Sequence, residues 1–130
     1  MTRLLDRAAG VLLLLGAAGH TLGTVLTLSP SHNAFIWSLG SSLAAVLVGT
    51  LNLVRVGRPP DRTLAWICLG GSLGWAAVVV GFGLIIGQLL DPRVDMHLVA
   101  SLALAGFSLR TLLGRASGDA PVPVGQPARS

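Results

Sequence analysis

Few residues in this chain could do chemistry. They are three histidines (His20, His32 and His97), five aspartates with no glutamate, one cysteine (Cys68) and one membrane-depth asparagine (Asn52). Imidazole titrates near neutral pH and is the commonest metal ligand. His20 and His97 are therefore the candidates for a metal, haem or quinone site, or for a proton or substrate pathway. Their spacing belongs to no metal motif: HxH, HxxxH and HxxE are all absent, and Cys68 has no CxxC or Cys/His partner. One cysteine also rules out an intramolecular disulfide, and in an apolar run it reads as a small hydrophobe. There is no P-loop and there are no paired carboxylates. Asp6, Asp61, Asp91, Asp95 and Asp119 fall near helix ends, in loops or in the tail, so the chain lacks the intramembrane carboxylate of a proton-driven carrier. No catalytic residue, cofactor or enzyme activity is expected.

The elements that must position these groups follow from composition. The chain is 52% hydrophobic and only 11% charged. Soluble domains carry about 25% charged residues, so water cannot be the solvent for the whole surface. A spanning helix needs roughly 20 mostly apolar residues, and four segments qualify: residues 7–28, 34–54, 63–90 and 94–113. Strands are excluded by the length of the runs and their lack of alternation. The breaks are Ser29-Pro30-Ser31-His32-Asn33, the Gly/Pro-rich stretch from Arg55 to Arg62, and Asp91-Pro92. Residues 117–130, rich in Pro, Gly and Ala, are expected to form a disordered cytoplasmic tail.

Arginine placement gives the orientation. Eight of the nine arginines lie on one side of a four-pass chain, and Arg93 lies on the other. The positive-inside rule then puts both termini in the cytoplasm, and it accounts for the net +4 without nucleic acid. Trp37 and Trp66 suit interfacial anchors. Arg3 and Arg7 before an apolar run imitate a signal peptide, but the run continues past a typical cleavage region, so an uncleaved helix is expected. Arginine without lysine and aspartate without glutamate, in an Ala/Gly/Leu/Val-rich chain, fit a GC-rich bacterial source and hence an inner-membrane location.

Helices in lipid associate through small residues and hydrogen bonds, so small and polar stripes mark the expected buried faces. The first helix shows Gly16, His20, Gly23, Thr24 and Thr27, opposite a lipid face of Val11, Leu15, Ala18, Leu22 and Leu26. The second shows Ser38, Ser41, Ser42, Ala45, Gly49 and Asn52. The third shows Gly70, Gly74, Ala77 and Gly81, with Gly83 and Gly87 on another face, a surplus that could serve a homodimer. The fourth shows His97, Ser101, Ala105 and Ser108. The expected fold is all-α, an up-down-up-down four-helix membrane bundle. In it His20 and His97 share the outer half, about 12 Å and about 6 Å deep at 1.5 Å per residue. His20, Ser41, Ser42, Asn52, His97 and Ser101 then either line a polar cavity or fix helix packing. Asn52 and Gln88 read as interhelical hydrogen-bonding or capping groups, and Trp75 as a packing residue.

Gly19-His20-Thr21-Leu22-Gly23, with the stretch from Trp37 to Asn52, resembles segments of small uncharacterised bacterial membrane proteins of about four helices. That resemblance implies a membrane protein and no activity. Size and helix count also look like the small multidrug transporters, but those depend on a first-helix glutamate that this chain lacks. The expected role is structural, accessory or interaction-based, with the bilayer and a second copy or another membrane protein as partners. A small transporter or channel subunit, and a haem, metal or quinone protein, are the alternatives.

Overall fold

The computed structural model describes residues 2–116; the expected tail at 117–130 lies outside them. Four helices make up the described chain: α1 (Thr2–Thr27), α2 (Asn33–Gly57), α3 (Arg62–Ile85) and α4 (Pro92–Ala116). All four are long and apolar enough to cross a membrane, the pattern of a multi-pass membrane protein.

The helix ends have local causes. Asp61 caps α3 by accepting the Leu64 N–H at 3.1 Å. Asp91 caps α4 by accepting the Arg93 N–H at 2.9 Å, and Pro92 takes the first helical position, where its missing N–H costs nothing. α3 stops at Ile85, although the apolar run continues to Leu90. The stop is Gly87, whose φ of +68° is a left-handed conformation that suits glycine. Around it Gln88 N–H donates to Gly83 O at 3.0 Å and Gly87 N–H to Leu84 O at 3.2 Å. This closing motif satisfies the last carbonyls of a helix, and hydropathy is blind to it. Gln88 thus sits in the turn beyond α3 and is exposed. α1 begins at Thr2, earlier than the apolar run, because Asp6 in its second turn has a partner inside the bundle.

Each helix runs antiparallel to the next. Thr24 meets Ser38 at one end of the α1–α2 seam, and Gly10 and Gly49 sit under Leu53 and Leu14 toward the other. Asn52 reaches Ser72 across α2–α3, Trp75 reaches His97 across α3–α4, and His97 rests on Gly16 across α4–α1. The apolar core is built on Leu13, Ala45, Trp75, Val79, Val94 and Leu104. Leu15, Leu22 and Leu26 of α1 face outward, Leu26 with 73% of its surface exposed, as hydrocarbon solvent would favour.

Three of the four expected stripes agree with the buried faces in whole or part. On α4, His97, Ser101, Ala105 and Ser108 are all buried, and on α2 Ser42, Ala45, Gly49 and Asn52 are buried with Ser41 half-buried. On α1, Gly16 and Thr24 are buried while His20, Gly23 and Thr27 are exposed. α3 differs: Gly70, Gly74 and Ala77 face outward, and a methyl group added at Gly70, Gly74 or Gly81 would meet nothing within 4 Å. Its buried face carries Ala65, Cys68, Ser72, Trp75, Ala76, Val79 and Gly83. The reason is the cost of an unsatisfied polar group in an apolar medium: Ser72 and the Trp75 N–H need partners, whereas glycine can face lipid freely.

Candidate functional site

The buried polar side chains form two layers. The first gathers where α1 begins and α2 and α4 end. Asn52 is its hub. Its amide nitrogen donates to Val48 O at 3.0 Å and to Ser72 Oγ at 3.1 Å, tying α2 to α3. Its Oδ1 accepts from Arg55 Nε at 3.4 Å and Nη2 at 3.3 Å, and lies 3.3 Å from Ser108 Oγ on α4. Asn52 and Arg55 are three residues apart, hence on one helical face.

Arg55 extends the layer to the remaining helix. Its Nη2 donates to Asp6 Oδ1 on α1 at 2.7 Å. Its Nη1 donates to Phe107 O at 3.5 Å and Thr111 Oγ1 at 3.3 Å on α4. A guanidinium has five N–H donors, and all five of these find acceptors. Asp6 and Arg55 are both buried. In the sequence Arg55 counts only as one of the positive-inside charges, and Asp6 lies simply near a helix end. Their separation of 49 residues hid the pairing, which only the bundle's register creates. Breaking a buried pair by deleting one partner typically costs 3–5 kcal/mol, against about 0.6 kcal/mol for an average interhelical hydrogen bond in a membrane. Removing either partner of the ion pair is therefore the most damaging single change in this layer.

The second layer holds His97, with His20 at its exposed edge, and it separates the two. His97 is buried. Its Nδ1 accepts from Trp75 Nε1 at 3.4 Å, with the rings edge-on at 5.8 Å between centroids. That bond places the ring proton on Nε2, which lies against Gly16. One turn on, Ser101 Oγ donates to His97 O at 2.5 Å. His20 is exposed; its ring leans along the α1–α2 seam, where Nε2 lies 2.9 Å from Ser38 Oγ. Ser38 in turn lies 2.5 Å from Thr24 Oγ1. The two histidines thus point to different seams and share no hydrogen bond or ring contact among the described residues. Ser41 and Ser42 turn back on their own helix, donating to Trp37 O and Ser38 O.

As a ligand set these groups fit poorly. Among the described residues no three His, Cys, Asp or Glu side chains cluster as a metal site would require. One nitrogen of each candidate histidine is already engaged, by Trp75 or by Ser38. Cys68 is buried on α3 and in no disulfide. Two concavities lie at opposite ends of the bundle. One, of about 780 Å³, opens at the α3–α4 turn around Gly83, Gln88 and Asp91; the other, of about 310 Å³, lies beneath the Asp6–Arg55 pair. Neither is lined by His20, His97, Ser41, Ser42 or Ser101.

Compared with protein-family profiles, curated proteins and solved structures, the chain matches none.

Proposed function

We propose that this chain is a structural or accessory component of a bacterial inner membrane, crossing it four times with both ends in the cytoplasm. The observation that carries this reading is the closure of the polar interior. Among the described residues, no buried side-chain nitrogen or oxygen lacks a partner. A translocation pathway needs polar groups facing a cavity or substrate, and a redox site needs ligand atoms free to bind. Here Asn52, Arg55, Asp6, Ser72 and Ser108 engage one another, and His97 engages Trp75. Such groups hold helices in register and leave the apolar outer faces to lipid or to another membrane protein.

Fractionation and labelling test the membrane plan. In a Cys68→Ser background, a membrane-impermeant maleimide applied outside should label His32→Cys and Gln88→Cys, and should reach Arg58→Cys only after permeabilisation. The opposite pattern overturns the orientation, and recovery of the chain in the soluble fraction overturns the membrane reading. The accessory role predicts that mild detergent releases a complex of fixed stoichiometry, larger than the 13.3 kDa chain. Solute flux in proteoliposomes that His20→Ala abolishes, in a folded protein, would replace this reading with a transporter.

A further inference from the structure

The pocket of about 310 Å³ beneath the buried ion pair has walls from three parts of the chain. Arg3 comes from the first turn of α1, Arg58 from the end of α2, and Arg110 from the last turns of α4. Arg55 and Asp6 also line it, so four arginines and one aspartate surround the pocket, a surplus of three positive charges. Arg55 cannot serve a ligand, because its five N–H donors are engaged within the bundle, and Asp6 is its counter-ion. Arg3, Arg58 and Arg110 are exposed and form no ion pair among the described residues. Three unpaired like charges around one concavity repel one another until an anion enters. Guanidinium matches phosphate in geometry, with two parallel N–H donors per group. Thr2 and Arg3 also bring the first turn of α1 to the pocket, where backbone N–H groups have no partner within the helix.

We infer that this pocket binds a phosphate group, held by Arg3, Arg58 and Arg110 over the neutral Asp6–Arg55 pair. Two sources share that chemistry: an anionic lipid headgroup, or phosphate free in the cytoplasm. The headgroup source rests on the membrane reading proposed above, since it needs this end of the bundle at the cytoplasmic leaflet. Binding of free phosphate does not depend on it.

The test uses the full chain purified in a neutral detergent. Native mass spectrometry follows titration with phosphatidylglycerol or phosphatidylcholine, and calorimetry follows inorganic phosphate. Each arginine near an anionic headgroup should contribute about fivefold in affinity. Arg58→Gln/Arg110→Gln should therefore weaken retention of the anionic ligand by roughly 25-fold. The control Arg7→Gln/Arg62→Gln removes the same charge outside the pocket and should leave retention within about twofold, since it takes away only diffuse attraction. Selective phosphatidylglycerol retention that follows this pattern supports the headgroup. Saturable inorganic phosphate binding with the same dependence, without lipid selectivity, supports free phosphate. Equal losses from both pairs would reduce the effect to general surface charge and overturn the site, as would no binding in either arm. Failure of the membrane reading shows separately, as a protein that stays in solution without detergent.

Discussion

Trp75 on α3 donates its indole N–H to His97 Nδ1 on α4 at 3.4 Å, and the far edge of the same imidazole lies against the backbone of Gly16 on α1. One ring thus joins three helices. The indole fixes its tautomer, and the absence of a side chain at Gly16 makes room for it. An ionisable side chain inside a membrane commonly signals function; on α4 this imidazole is held between Trp75 and Gly16.

Gly16→Ala tests that arrangement. The added methyl would fall 2.5 Å from Met96 Cε and 2.7 Å from His97 Nε2. Met96 can swing away, but the imidazole is fixed by Trp75. Overpacking of this kind costs about 1–3 kcal/mol. Gly19→Ala, with nothing within 4 Å, should be neutral or stabilising by up to about 1 kcal/mol from helix propensity. Reversible unfolding in mixed micelles separates the two. Equal effects would show that His97 does not rest on Gly16.

Asn52→Ala removes the link between Ser72, Ser108 and Arg55. It leaves two of the five Arg55 N–H groups without acceptors in a buried site, so a loss of about 2–3 kcal/mol is expected. Ser41→Ala, where the hydroxyl only turns back to Trp37 O, should change stability by less than about 0.5 kcal/mol. The same unfolding assay reads both. An Asn52→Ala protein as stable as Ser41→Ala would show that Asn52 is not the hub of this layer.

Asp91 gives the pH dependence. Its carboxylate accepts from Arg93 Nε at 2.9 Å and Nη2 at 2.7 Å, and these bonds, with the Arg93 backbone N–H, hold its pKa down at about 2 from an ordinary 3.8. A depressed pKa means the ionised form stabilises the fold above the ordinary value. That contribution is lost as pH falls from 3.8 through about 2. Carboxyl chemical shifts of Asp91 should therefore titrate near 2 in the native chain and move upward in Arg93→Ala. An unchanged midpoint in Arg93→Ala would assign the depression to something other than this pair.

Much of the fold is legible in the sequence because long apolar runs set the helices. The four helices, the outward face of α1 and the buried stripe of α4 follow from hydropathy and helical period. The end of α3 does not, because it depends on the backbone conformation of Gly87 and not on side-chain polarity. The inward face of α3 is misread by a search for glycines, since Ser72 and Trp75 need burial beside partners and glycines do not. The polar layers are half legible. Asn52 announces an interhelical role, and Asn52 and Arg55 share a face, which hints that Arg55 turns inward. Asp6 stays hidden because its partner lies on another helix. The two histidines look alike in the sequence, and only the register of the seams sends His20 to Ser38 and His97 to Trp75.

Buried polar contacts lock the four helices, and the Asp6–Arg55 pair at 2.7 Å is the one whose loss costs most. A double-mutant cycle on Asp6→Asn and Arg55→Gln, read by reversible unfolding in bilayer-like micelles, tests it most directly. Each single substitution should cost about 3–5 kcal/mol. The double variant should cost well below the sum, with a coupling of at least about 1 kcal/mol. Single losses below about 0.5 kcal/mol that simply add would contradict it: the pair would then be an exposed surface contact, and the polar interior would need another explanation.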